Sequence, residues 1–298
     1  MAYHERTHKS AIRWRDGMNT LQQKKARQFA DLHKSPRMLV LPNAWDVPSA
    51  KIFENSGFPA VATTSAGMFV SLGFPDGEEI GRRRFLSAVK IISSVLTVPL
   101  SVDAVAGFGK NLKELKLTIK GIIEAGAVGL NIEDFEHETG KLFPLETQLE
   151  KIRVIKDVGE EVGVDLFINA RTDALRFFKG SDEEKFMEAL ERSKKFRDAG
   201  AGCVYPMGLV KREDIEKFVR EMNGFPINVM IRNTTPTLRE MEHLGVKRAS
   251  FGPGAIYSAM GLLRRISSEV LNEGKTEALT KDAITYDELV ALTRKTND

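Results

Sequence analysis

The chain has 298 residues, of which 42% are hydrophobic, 29% charged and 8% aromatic, so composition excludes a disordered or fibrous protein and the length suits one α/β barrel or two average domains. A net charge of +3 hides an asymmetry: residues 1–37 carry nine Lys/Arg against three Asp/Glu, leaving 35 basic and 38 acidic residues in a body that is no nucleic-acid surface. The single cysteine, Cys203, excludes a disulfide framework or multi-cysteine zinc site, and no apolar run approaches the ~18 residues of a membrane span, so a cytoplasmic location is expected.

The basic head lacks the serine bias of a transit peptide and contains Glu5, Asp16 and Asp31. Between Met18 and Leu32 it sets Met18, Leu21, Phe29 and Leu32 near one helical stripe, interrupted by Lys25. Residues 1–37 therefore read as a helical arm lying on the body.

From residue 38 short β-rich apolar runs alternate with longer amphipathic segments. The runs are Met38–Pro42, Ala60–Thr64, Pro99–Asp103, Val128–Ile132, Asp165–Ala170, Gly202–Tyr205, Ile227–Ile231 and Arg248–Phe251. Helices are predicted over Glu79–Leu96, Leu112–Glu124, Leu145–Val162, Asp182–Asp198 and Lys211–Met222. Strands that are apolar throughout and separated by helices imply a parallel sheet covered on both faces. Gly57, Gly126, Gly200 and Gly245 each precede an even-numbered strand, where a helix must end in a left-handed turn. Eight βα units close most economically as a (β/α)8 TIM-type barrel over residues 38–272, with an open doubly wound sheet as the alternative. The segment 273–298 reads as a C-terminal helical tail bearing Tyr286, Leu289 and Leu292.

In a barrel the active site lies at the C-terminal strand ends. The polar residues there are Asn43 and Asp46, Thr64 and Ser65, Asp103, Glu133 and Asp134, Asn169 to Asp173, Tyr205, and Arg232 with Asn233. Carboxylates without clustered His or Cys point to magnesium or manganese rather than zinc. Arg171 at the same mouth suits a carboxylate or phosphate, so the expected partner is a small anionic substrate. Asp46 is equally a helix N-cap, since Val47-Pro48 follows it.

These residues sit in segments that resemble the isocitrate lyase / phosphoenolpyruvate mutase superfamily. They are Pro42-Asn-Ala-Trp-Asp-Val-Pro-Ser-Ala50, Thr63-Thr-Ser-Ala-Gly67, Leu72-Gly-Phe-Pro-Asp76, Val102-Asp-Ala-Val-Ala-Gly-Phe-Gly109, Asn131-Ile-Glu-Asp134, Ile168-Asn-Ala-Arg-Thr-Asp173 and Phe251-Gly-Pro253. The resemblance implies an enzyme that binds an oxoacid or its enolate on magnesium and cleaves a C–C bond. P–C chemistry on a phosphonopyruvate-like substrate and oxoacid binding without turnover are its alternatives. Asp103 would be the direct metal ligand, with Asp76 and Glu133 acting through water. Thr64, Ser65 and Ala66 would hold the substrate carboxylate, and Arg171 its other end. A homodimer or homotetramer is implied, with the helix around Pro253–Leu271 packed on a neighbour.

Two departures stand out. Val105 occupies the second acidic position of the strand-three motif, which removes an outer-shell carboxylate. The loop after strand four, Phe135 to Lys141, lacks the acid/base cysteine of the classical lyases and leaves His137 as its proton-transfer group. Cys203 falls inside strand six and reads as a buried structural thiol.

Overall fold

A computed structural model describes residues 20–292. Its chain begins with a helix over residues 20–34 (α1). The first barrel strand is Leu39–Leu41 (β1) continued by Asn43–Ala44 (β2), and Val61–Thr63 (β3), Leu100–Asp103 (β4) and Gly129–Glu133 (β5) follow. After a small hairpin, Phe135–Glu136 (β6) with Lys141–Leu142 (β7), come Phe167–Thr172 (β8), Cys203–Pro206 (β9), Asn228–Met230 (β10) and Arg248–Ser250 (β11). All barrel pairings are parallel, in the orders β1-β11-β10 and β2-β3-β4-β5-β8-β9. The chain runs from β1 into β2 through Pro42, whose carbonyl accepts from Ala62 N at 2.8 Å. A parallel bridge between Val204 and Ile227 joins β9 to the β10 segment. The eight strands thus follow one another around a (β/α)8 barrel whose thinnest seam lies between β9 and β10.

The outer helices are Val47–Asn55 (α2), Ser65–Ser71 (α3), Arg82–Ser93 (α4), Leu112–Glu124 (α5), Leu145–Val162 (α6), Ala174–Phe177 (α7), Asp182–Asp198 (α8), Arg212–Glu221 (α9), Leu238–His243 (α10) and Gly254–Glu273 (α11). Local chemistry sets their ends. Asn111 accepts from Lys113 N and Glu114 N at the start of α5, and Ser181 forms a capping box with Glu184 at α8. Gly57, Gly126, Gly200 and Gly245 all have positive φ, as expected for left-handed helix stops. Asp46 is a cap: it accepts from Ser49 N at 2.8 Å and closes a capping box.

Side chains at the same register share a face, so the interior is built in layers. Asp103, Asn131, Asn169 and Cys203 form one inward row, and Glu133, Arg171 and Tyr205 the next row toward the mouth. The opposite end of the barrel is closed by α1. Phe29 and His33 of that helix are buried against the Phe167 ring, with His33 stacked on it at 3.9 Å and Phe29 edge-on at 5.4 Å. The buried stripe differs from the expected one: Ala26, Phe29 and His33 face the barrel, whereas Leu21 is exposed. Polar contacts set this rotation, because Gln22 donates to the carbonyls of Ile123 and Ala127 and Lys25 to that of Leu96. Met18 and the rest of the arm before residue 20 lie outside the described residues.

Beyond the barrel, α11 buries Ile256 but exposes Tyr257, Met260, Leu263 and Leu271. The tail adds Glu277–Thr280 (α12) and Tyr286–Ala291 (α13), and Ala278 N donates back to Glu269 of α11. Tyr286 and Leu289 are exposed while Leu292 is buried. Among the described residues no helix is long and apolar enough to cross a membrane.

Docking of α1 predicts a contrast. Phe29→Ala should lower unfolding free energy by roughly 3–5 kcal/mol, and Leu21→Ala by less than about 0.5 kcal/mol. Urea unfolding checks this; equal effects would mean that Phe29 does not anchor the helix.

Candidate active site

Arg171, near the end of β8, organises the mouth. Its Nε and Nη2 donate to Asp173 Oδ2 and Oδ1 at 2.6 and 3.0 Å, and Nη1 lies 2.7 Å from Glu133 Oε2. Asp173 is itself held from behind. Wholly buried Asp134 accepts from Asp173 N at 2.9 Å, Thr172 Oγ1 at 2.7 Å and Arg192 Nη1 at 3.2 Å. Burial pushes the Asp134 carboxyl up to about 6 although Arg192 opposes the shift. The strand ends of β5 and β8 are thereby locked together by buried, fully engaged polar groups.

Asp103 ends β4. Its Oδ2 accepts from Ser65 N at 3.1 Å and Oδ1 from Val105 N at 3.4 Å, while Asp103 N donates to Thr63 Oγ1 at 2.9 Å. Among the described residues no cationic side chain pairs with this carboxylate. Burial and the neighbouring charge of Glu133 push it up to about 6, with Arg171 opposing and Asp76 adding to the rise. Asp76 is exposed on the loop after α3. Three carboxylates are therefore near enough to repel, yet among the described residues no three Asp, Glu, His or Cys side chains converge on one point as a ligand set. Glu133 in particular is occupied by Arg171 and His137.

His137 stands on the β6–β7 hairpin, which Phe135 secures by stacking on Phe177 at 4.2 Å. Its Nε2 contacts Glu133 Oε1 at 2.5 Å. Gly77, at φ +124°, lets the imidazole approach the Asp76 loop, because a Cβ there would lie 3.3 Å from Nδ1. The hydrogen bond to Glu133 raises the His137 pKa above its ordinary 6.5, against burial. A cleft of about 860 Å³ opens beside the mouth, and Asp76, Glu78, Phe108, His137, Phe143 and Lys151 are on its wall. Asp103, Glu133 and Arg171 are not on that wall, so the cleft adjoins the buried row rather than containing it.

Thr64 and Ser65 are buried at the start of α3, but their amides are engaged within the protein, with Ala44 O and Asp103 respectively. Ala66 is half-buried in the first turn. Arg232 and Asn233 are exposed past β10. Cys203 is wholly buried and its thiol is pushed up to about 12 by burial, an inert state. Val105 adopts φ +51°, an unfavourable region for a β-branched residue, and its side chain belongs to the hydrophobic core. An acid placed at 105 would therefore begin from a buried position.

Sequence reasoning overlooked two cleft residues. Lys151 of α6 sets Nζ 3.4 Å from the Phe143 ring centroid and 3.2 Å from Ala106 O, and burial lowers its pKa to about 8. Glu78 accepts from Phe108 N at 2.6 Å. Helical spacing alone gives a lysine no signal that its stem is buried.

The His137–Glu133 pair carries a pH signature. A raised histidine pKa contributes stability that is complete below about 6.5 and is lost as pH rises through the raised folded value. Carbon-detected NMR titration of the free protein should place the His137 midpoint above 6.5 and move it downward in Glu133→Gln. A midpoint at or below 6.5 in the wild type would contradict the pairing.

The chain matches the family model of phosphoenolpyruvate phosphomutase over residues 29–271. It is 28% identical over 274 residues to 2,3-dimethylmalate lyase of Eubacterium barkeri, covering 88% of this chain and 92% of that protein. Against 2-methylisocitrate lyase of Bacillus subtilis strain 168 the identity is 27%, covering 94% and 95% of the two chains. A crystal structure from Burkholderia cenocepacia J2315, described as a candidate lyase/mutase, superposes with a TM-score of 0.83 at 29% identity, covering 91% and 96%. The match of the family model over residues 29–271, with relatives that cover most of both chains, identifies this chain as a member of the phosphoenolpyruvate phosphomutase family.

Proposed function

We propose that this enzyme is a magnesium-dependent carbon–carbon lyase, with manganese as the substitute metal, acting on a small oxo- or hydroxy-dicarboxylate through an enolate. The observation that carries this reading is Asp103: a buried carboxylate without a cationic partner among the described residues, beside Glu133 and near Asp76. Such a donor set fits a hard divalent cation. Magnesium keeps several waters, so one direct ligand, Asp103, with Asp76 and Glu133 reached through water, agrees with side chains that do not converge on a point. When bound, the metal would supply a Lewis acid for the charge that develops beside a carbonyl. The named lyases among the relatives support C–C cleavage as the reaction type.

The chain's own residues then have distinct tasks. Arg171, kept oriented by Asp173, presents its remaining N–H groups to the anionic end of the acid. Ser65 and Ala66, in the first turn of α3, face the other carboxylate. His137 holds a proton at Nε2 in its contact with Glu133 and passes it at the reacting carbon, the task a loop cysteine has in the classical lyases. The exposed apolar side chains of α11 support a homodimer or homotetramer, and we place its action in the cytoplasm.

Two measurements test the reading. Because Val105 offers no acceptor to metal-bound water, magnesium alone should bind weakly and oxalate should tighten it by about 10–100-fold in calorimetry. Equal affinity with and without oxalate would refute an oxoacid-completed site. Arg171→Lys should lose roughly 2–4 kcal/mol in kcat/KM for the acid that releases pyruvate or glyoxylate. An unchanged kcat/KM would remove Arg171 from substrate binding.

A further inference from the structure

The barrel interior holds a second guanidinium beneath the mouth. Arg248, at the start of β11, is wholly buried. Its Nη2 donates to Asn131 Oδ1 at 3.3 Å, an oxygen that also accepts from Asn169 Nδ2 at 2.7 Å. The contact sets Arg248 against the row of Asp103, Asn131 and Asn169, one row below Glu133 and Arg171. Its Nε and Nη1 have no acceptor among the described residues. Water satisfies such N–H groups but leaves their charge uncompensated.

The groups that feel this charge give it no paired counter-ion. His33 of α1 is neutral, its pKa lowered to about 3 by burial and by Arg248 itself. Burial pushes the Cys203 thiol and the Tyr205 phenol each up to about 12, and Tyr205 packs with Met207 and Met230. Of these neighbours only Asp103, at about 6, is ionised at neutral pH, and it attracts Arg248 without forming an ion pair. An arginine cannot shed its proton to escape burial, as a lysine can. A lasting positive charge therefore lies under the mouth, and a buried charge without a partner is strongly unfavourable. Arg171 differs, because Glu133 and Asp173 already balance it.

We propose that Arg248 is a positioning residue that supplies the unbalanced positive charge of the site, attracting the oxoacid anion from beneath and opposing a divalent cation that arrives alone. The inference rests on the oxoacid reading of the site. A fixed positive charge acts with opposite sign on the two ligands, and it acts through the field without touching either. Loss of packing or of the Asn131 bond would instead harm both ligands alike.

Calorimetry on the full chain tests this, with magnesium alone and with oxalate added to the magnesium-loaded protein. The wild type is compared with Arg248→Met, its fold checked by circular dichroism. An apolar residue in place of a buried charge is often tolerated, and Arg248→Gln takes its place if it does not fold. The neutral variant should bind oxalate at least about fivefold more weakly. It should bind magnesium alone as tightly as the wild type or more tightly. Unchanged oxalate affinity in the neutral variant would overturn the inference while leaving the oxoacid site standing. Weakening of both ligands together would make Arg248 a structural support and overturn it equally. Absence of oxalate binding to the magnesium-loaded wild type would overturn the site reading and this inference with it.

Discussion

The contact on which the rest of the mouth depends is the guanidinium of Arg171 held between Glu133 and Asp173. The Arg171 side chain is only 13% exposed, and an unpaired charge there would be strongly destabilising. The pair geometry therefore dictates its surroundings. Asp134 and Arg192 must fix the backbone of Asp173, and Glu133 must keep one oxygen on Arg171 while the other takes His137. In the proposed reaction a substrate anion and a metal-bound water would join the loop histidine around this one ion pair on adjacent strands. Rigid elements with mutually supporting polar partners position a reaction more reliably than loops do.

That arrangement makes the opposite strands intelligible. On the Asp103 side, a buried carboxylate has no cationic side chain paired with it among the described residues. On the Tyr205 side stand methionines and a neutral phenol. The site is thus polarised across the barrel axis, with Arg171 at the boundary. Val105, beside Asp103, adds a core side chain held in a left-handed backbone.

Much of the fold was legible in the sequence because two periodicities alternate cleanly. Helices α5, α6 and α8 have the predicted ends, set by Asn111, by Gly163 in the left-handed region and by the Ser181 capping box. The β6–β7 hairpin was not legible, since two-residue strands carry no periodicity. Nor was the face of α1, where hydrogen bonds from Gln22 and Lys25 rotate the helix and expose Leu21. At the candidate site, strand-end position was enough to expect Asp103, Glu133 and Arg171 near one another, because chain order alone brings strand ends together in a barrel. It left open whether Asp46 was a cap or a ligand, which the bond to Ser49 N decides. It also gave no sign that the Thr64 and Ser65 amides are engaged internally or that Lys151 is buried, for these follow from tertiary approach.

The central claim is that a divalent cation and an oxoacid share the mouth between Asp103 and Arg171. Anomalous diffraction from crystals grown with manganese and oxalate tests it most directly. The account predicts one anomalous peak in contact with Asp103, with oxalate completing its shell and no direct bond to Asp76 or Glu133. A peak bound to His137 or Glu133 instead, or oxalate at the mouth without any metal beside Asp103, would contradict it.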